Sequence, residues 1–157
     1  MLKLIPVDDS KKELLWNINQ KYLYEMTLFY PDEMDERGNL HYGYFDEYFI
    51  DDKRKAFFIY NDDKMVGFAM IHPYSVIDGE PDYTMAEFTI FPSYRKKHFA
   101  TDAANLIFST YIGKWEIKFN DKNRAAKKLW TSITASYYPG IHHLNDEETV
   151  LTFEINQ

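Results

Sequence analysis

Arg95, Lys96 and Lys97 place three cations in a turn between a strand-like run ending at Phe91 and a helical stretch opening at Phe99-Ala100-Thr101. Free N–H groups and the dipole at a helix N-terminus favour an anion, so Arg95 to Thr101, with His98 among them, reads as a phosphate cradle. A solvated basic turn is the alternative, and the strand-to-helix position argues against it. Glu87 is the second such residue, the one charge between Tyr83 and Phe91. Strand alternation puts Phe88 and Ile90 on one face and Glu87 on the other. A carboxylate in an otherwise uncharged strand can act as a general base. The competing reading is a structural carboxylate at a solvated edge or in a buried hydrogen bond.

Positioning these groups requires a strand and a helix on either side of the turn, and the pattern supplies both. Leu2 to Val7 is a strand candidate, and Ser10-Lys11-Lys12-Glu13 has the spacing of a capping box. Leu14, Leu15, Ile18, Tyr22, Met26 and Phe29 predict a helix that stops near Tyr30, before Pro31. Phe45, Tyr48 and Phe49 predict a second, shorter helix. Ala56–Tyr60 and Met65–His72 form a β-hairpin around a four-residue connection. A loop over Pro73 to Pro81 leads to the strand Tyr83 to Phe91. Phe99, Ala103, Leu106, Ile107 and Thr110 share one helical face, with Gly113 as its terminator. Trp115, Ile117 and Phe119 alternate with charged residues as a strand. Asp121 can cap the next helix, whose stripe is Ala126, Leu129, Trp130 and Ile133, and strands near Ile141 to Leu144 and Thr149 to Ile155 follow. One domain over residues 1–157 is expected, α/β with a single mixed sheet covered by helices.

Composition narrows the function. The net charge of −7 argues against general nucleic-acid binding, although nine Lys/Arg against three Asp/Glu lie between Arg95 and Lys128. No Cys is present, which removes thiol chemistry and thiolate zinc and fits a reducing compartment, so the expected location is the cytoplasm. No apolar run approaches the ~20 residues that span a bilayer. The five histidines are scattered without ligand spacing, so no metal site is expected. Thirteen Tyr and twelve Phe exceed what an ordinary core uses. Tyr22, Tyr24, Tyr30, Tyr42, Tyr44 and Tyr48, with Asp32, Glu33, Asp35 and Glu36, can receive a cation; core cover and a solvated loop are the alternative.

Two segments together resemble a known family. Ile90 to Ala100 resembles the pyrophosphate motif of the GCN5-related N-acetyltransferases, Gln/Arg-x-x-Gly-x-Gly/Ala, with Arg95 and Ala100 matching and His98 at the usual Gly position. Asn123-Arg124-Ala125-Ala126-Lys127-Lys128-Leu129-Trp130 is similar to the family's Asn-x-x-Ala helix beside the pantetheine arm. The resemblance implies a mostly antiparallel sheet of six to seven strands flanked by about four helices. It implies acetyl-CoA as cosubstrate and a primary amine of a small molecule or peptide as acceptor, with direct transfer and Glu87 as base. Backbone near Phe88 and Ile90 would bind the acetyl carbonyl and pantetheine, residues 95–101 the pyrophosphate, and Asn123 would flank the pantetheine. Trp130 stands where the family often has Tyr, so a thiolate-protonating hydroxyl would have to come from Tyr137 or Tyr138, or from water. A monomer or homodimer without nucleic-acid or membrane partners is expected. The departures at His98 and Trp130 leave open a CoA-binding sensor without turnover, and the aromatic helices an interaction protein.

Overall fold

A computed structural model describes residues 1–157. Seven strands, β1 (Leu2–Pro6), β2 (Lys55–Asn61), β3 (Lys64–His72), β4 (Tyr83–Ile90), β5 (Gly113–Asn120), β6 (Gly140–Leu144) and β7 (Glu148–Ile155), form one sheet in the order β1-β2-β3-β4-β5-β7-β6. Every neighbouring pair is antiparallel except β4–β5. Helix α1 (Lys12–Met26) lies on one face, and α2 (Phe99–Thr110) and α3 (Arg124–Thr134) lie on the other.

The residue pattern explains both layers. Ala103, Ala104, Ile107 and Phe108 bury the inner stripe of α2, where alanines permit close approach to the sheet, and Trp130 seals α3 against Phe88 and Phe108. Trp115, Ile117 and Phe119 of β5 complete that core. Opposite, Leu15, Phe45, Tyr48, Phe58, Phe68 and Met70 form a smaller core under α1.

Several expectations are corrected. The second helix is a single 3-10 turn, Asp46–Phe49, so the sheet carries three α-helices rather than about four; Gly43 and a left-handed Tyr44 leave no room for a longer N-terminal turn. Helix α1 starts after a 3-10 turn, Asp9–Lys11, capped by Asp8 accepting from the Ser10 N–H, in place of a Ser10 capping box. It ends at Met26, and residues 27–30 continue as turns. Asn123, not Asp121, caps α3; Asp121 instead accepts from the Thr149 hydroxyl at 2.6 Å. Gly113 does not terminate α2. It opens β5 at φ +142°, where a Cβ would stand 2.4 Å from Asp82 Oδ2.

That glycine allows a clamp at the start of the parallel pair. The Asp82 carboxylate accepts from the Lys114 N–H, and the Asp82 N–H donates to the Lys114 carbonyl, both at 2.8 Å. The ladder then runs only through Tyr83–Met85 against Trp115–Ile117. Beyond it, Ala86–Ile90 of β4 has no β5 partner, and the chain runs from that unpaired end into the turn at residues 95–98.

Candidate active site

The unpaired end of β4 begins at a bulge. Met70 pairs with Glu87 and Ile71 with Met85, so Ala86 is the extra residue of β4. The bulge resets the alternation and turns Glu87 toward α1, while Phe88 and Ile90 face the α2/α3 core as expected. At Gly67 a Cβ would come within 2.2 Å of the Thr89 carbonyl, so the β3 glycine lets β4 lie close along its far half.

Glu87 is half-buried and accepts a hydrogen bond from the Tyr42 hydroxyl at 2.5 Å. Burial pushes its carboxyl up to about 7, against the opposing pull of the Tyr42 and Tyr22 hydroxyls and the Lys118 charge. A carboxylate that titrates near neutrality is suited to exchange protons with a substrate at physiological pH. Close by, the Tyr30 hydroxyl donates to Glu148 at 2.8 Å, and Lys118 lies 3.3 Å from the same carboxylate. Hydrogen bonds from Tyr30 and Asn145 and the Lys118 charge outweigh burial and hold Glu148 below the usual carboxylate range. The cleft thus carries two acids of different character, one poised and one held ionised. Of the six tyrosines that the sequence offered for a cation, Tyr22, Tyr30, Tyr42 and Tyr48 face Glu87, whereas Tyr24 and Tyr44 are exposed. The acids it offered, Asp32, Glu33, Asp35 and Glu36, are all exposed. Nothing in sequence could connect Tyr30 with Glu148, 118 residues away.

A buried carboxylate on β5 holds the β3–β4 loop. Glu116, 2 % exposed, accepts from the Ser75 hydroxyl and, at 3.0 Å, from the Val76 N–H. Ser75 Oγ in turn accepts from Gly79 N–H at 2.8 Å, so the β3–β4 loop is strapped to the sheet.

At the turn, the backbone departs from regular structure and leaves a row of N–H groups unpaired. Lys96 and His98 both adopt left-handed conformations, φ 65° and 64°, and His98 is the residue before the first turn of α2. The N–H groups of Lys96, Lys97, His98, Phe99, Ala100 and Thr101 meet no acceptor within the protein. Six consecutive free donors, with exposed Lys96 and Lys97 beside them, fit a diphosphate. Phe99 and Ala100 anchor the turn by packing on the α2/α3 core.

Arg95 is deployed differently from the other cations. Its guanidinium makes a bidentate pair with Glu25 near the end of α1, at 2.7 Å to each oxygen, and its Nε donates to the Ile90 carbonyl at 2.8 Å. Its charge therefore fastens α1 to the end of β4, and Lys96 and Lys97 remain the free cations. Asn123 uses its side-chain oxygen to cap α3, accepting from the Ala126 N–H at 3.1 Å. Trp130 is buried, edge-on to Phe88 at 5.1 Å. Tyr137 stacks on Phe153, whereas Tyr138 is 91 % exposed with no hydrogen-bond partner. A cavity of about 890 Å³ lies between the start of α1 and residues 41–47, with Tyr42 in its lining. No helix is long and apolar enough to cross a membrane.

The fold is shared with solved acetyltransferases. One from Thermus thermophilus superposes with a TM-score of 0.71 at 13% identity, covering 99% of this chain and 97% of its own. The ribosomal-protein-S18-alanine N-acetyltransferase of Escherichia coli gives 0.65 at 13%, covering 100% and 96%. The spermidine N-acetyltransferase of Vibrio cholerae, in complex with CoA and spermine, gives 0.65 at 12%, covering 98% and 95%. No curated protein matches the sequence. The family model for the acetyltransferase (GNAT) family matches residues 15–133, which include Glu87 and the turn, and the chain belongs to that family.

Proposed function

We propose that the protein transfers the acetyl group of acetyl-CoA to a primary amine, with Glu87 as general base. The observation that carries this reading is the alignment of three features along one strand junction: the poised carboxylate on β4, the parted β4–β5 pair, and the row of free N–H groups from Lys96 to Thr101.

The diphosphate is assigned to residues 96–101, with Lys96 and Lys97 adding charge. Arg95 acts on this site through its latch to Glu25, which fixes where the turn begins. Backbone between Phe88 and Ile90, left without a β5 partner, lies along the pantetheine and polarises the acetyl carbonyl. Asn123 supports that arm by fixing the start of α3. Glu87 takes one proton from the ammonium, the neutral amine nitrogen forms a bond to the acetyl carbon, the C–S bond breaks, and the second nitrogen proton leaves to water. The departing thiolate takes a proton from water or from Tyr138, the free hydroxyl near α3. Tyrosine rings around Glu87 and Glu148 and the two carboxylates themselves favour an acceptor that arrives as an alkyl ammonium.

The test is release of CoA thiol with a panel of amines that includes spermidine and a peptide with N-terminal alanine. Glu87→Gln should lower kcat at least tenfold at pH 7, less at pH 9 where more amine is already neutral, with acetyl-CoA affinity unchanged. An unaltered pH profile assigns Glu87 a structural role. Failure of every amine while acetyl-CoA binds favours the sensor reading, which the departures at His98 and Trp130 support.

A further inference from the structure

We propose that Tyr42 is a positioning residue for the base: the loop after α1 holds its phenol against Glu87 and keeps that carboxylate in its proton-accepting form. The proposal rests on Glu87 being the base and adds what controls it.

The loop is built to present this one hydroxyl. Gln20 of α1 clasps Leu40 from both sides, its Nε2 donating to the Leu40 carbonyl and its Oε1 accepting from the Leu40 N–H, each at 2.7 Å. Leu40 is 3 % exposed and Phe45 6 %, so both ends of the short segment between them are sunk in the protein. The Tyr42 ring stands edge-on to Phe45, with centroids 6.4 Å apart, and its hydroxyl reaches Glu87 across 45 residues of sequence. Behind it, the Tyr48 hydroxyl is buried without a hydrogen-bond partner and faces the same pair.

The electrostatic sense is fixed by which group donates. A phenol donating to a carboxylate favours the charged form, whereas burial favours the neutral one. The other groups that face Glu87 are Tyr22 from α1, Tyr30 just beyond it, Tyr48 from the 3-10 turn and Lys118 from β5. Among them Lys118 is the one cation, and it is shared with Glu148. Burial and the Glu87 charge push the Tyr42 phenol far upward, so it keeps its proton throughout and acts as a donor only. Glu87 alone gains and loses the proton in each cycle.

The experiment is a pH titration of the Glu87 carboxyl by carbon NMR in the unliganded protein, which needs no knowledge of the acceptor. Glu87→Gln identifies the resonance by its loss. Tyr42→Phe removes one oxygen from a ring that stays packed on Phe45, and amide spectra verify that the fold is retained. Loss of a hydrogen bond to a charged group should move the titration upward by about 1–2 pH units. With an amine that is turned over, kcat at pH 7 should fall roughly five- to fiftyfold and recover by about pH 9 to 10. A Glu87 titration unmoved in folded Tyr42→Phe overturns the proposal. If the titration moves while Glu87→Gln leaves turnover intact at pH 7, the assignment of Glu87 as base fails, and Tyr42 positions a carboxylate that is not catalytic.

Discussion

His98 sits at φ 64° where an L side chain is disfavoured and glycine is not, and its backbone lies in the middle of the free N–H row. Relief of that conformation should make His98→Gly more stable by about 1 kcal/mol, read from denaturant melts, with acetyl-CoA binding retained or tightened. A loss of binding would show that the imidazole itself contributes a contact. Glu87 works in the opposite direction, as a cost that function imposes. Folded Glu87 keeps its proton up to about pH 7, while in the unfolded chain it would be lost near the ordinary value of 4.5. The stability this supplies is therefore complete below 4.5 and disappears as pH rises through 7. Glu87→Gln cannot ionise, so it should match the parent near pH 4 and exceed it at pH 8.5 by up to about 3 kcal/mol. Equal stability at both pH values would mean that Glu87 is not poised.

At the scale of elements, the site exists because β4 changes partners along its length. The Asp82 clamp and three ladder pairs hold it to β5 at one end, the Ala86 bulge rotates it, and the Arg95–Glu25 pair ties its far end to α1. The Arg95 hydrogen bond and charge hold the Glu25 carboxyl below its ordinary 4.5, so the latch is intact above that value and is lost as pH falls through the depressed one. Both side chains are about a third exposed, which limits the pair to about 1 kcal/mol despite its bidentate geometry. Glu25→Gln should lower stability by that amount at pH 7, the difference narrowing at pH 3, and should weaken acetyl-CoA binding by loosening the start of the turn. Calorimetric melts at the two pH values and a binding titration check both. The strands and helices around this junction were legible in the sequence because Trp115-x-Ile117-x-Phe119 and the α2 and α3 stripes carry unmixed periods of two and three to four. The bulge was not, since it is defined by pairing with Met70 and Ile71 and leaves Ala86 without a distinctive neighbour. The Asp46–Phe49 turn was overread as a helix because its aromatic spacing serves a core contact rather than a helical stripe.

Across the whole molecule, the same distinction holds for the site. Local features were legible: a cation cluster at a strand-to-helix junction and a lone carboxylate in an apolar strand. Those assembled by the fold were not, because Tyr42 to Glu87, Tyr30 to Glu148 and Arg95 to Glu25 join residues 45, 118 and 70 positions apart. Folding converts a turn that seemed to offer three cations into one that offers two cations and six N–H groups, with the third cation used as a latch. An acidic chain can in this way bind a dianionic group at one place without becoming a general polyanion binder. Isothermal calorimetry of acetyl-CoA against the parent protein and Thr101→Glu tests this account at its centre. Thr101 is exposed, so a carboxylate there fits the fold while competing for the α2 N–H groups. One-to-one binding by the parent, weakened at least tenfold in Thr101→Glu, is the expected result. No detectable binding by the parent, or equal binding by both, would contradict it.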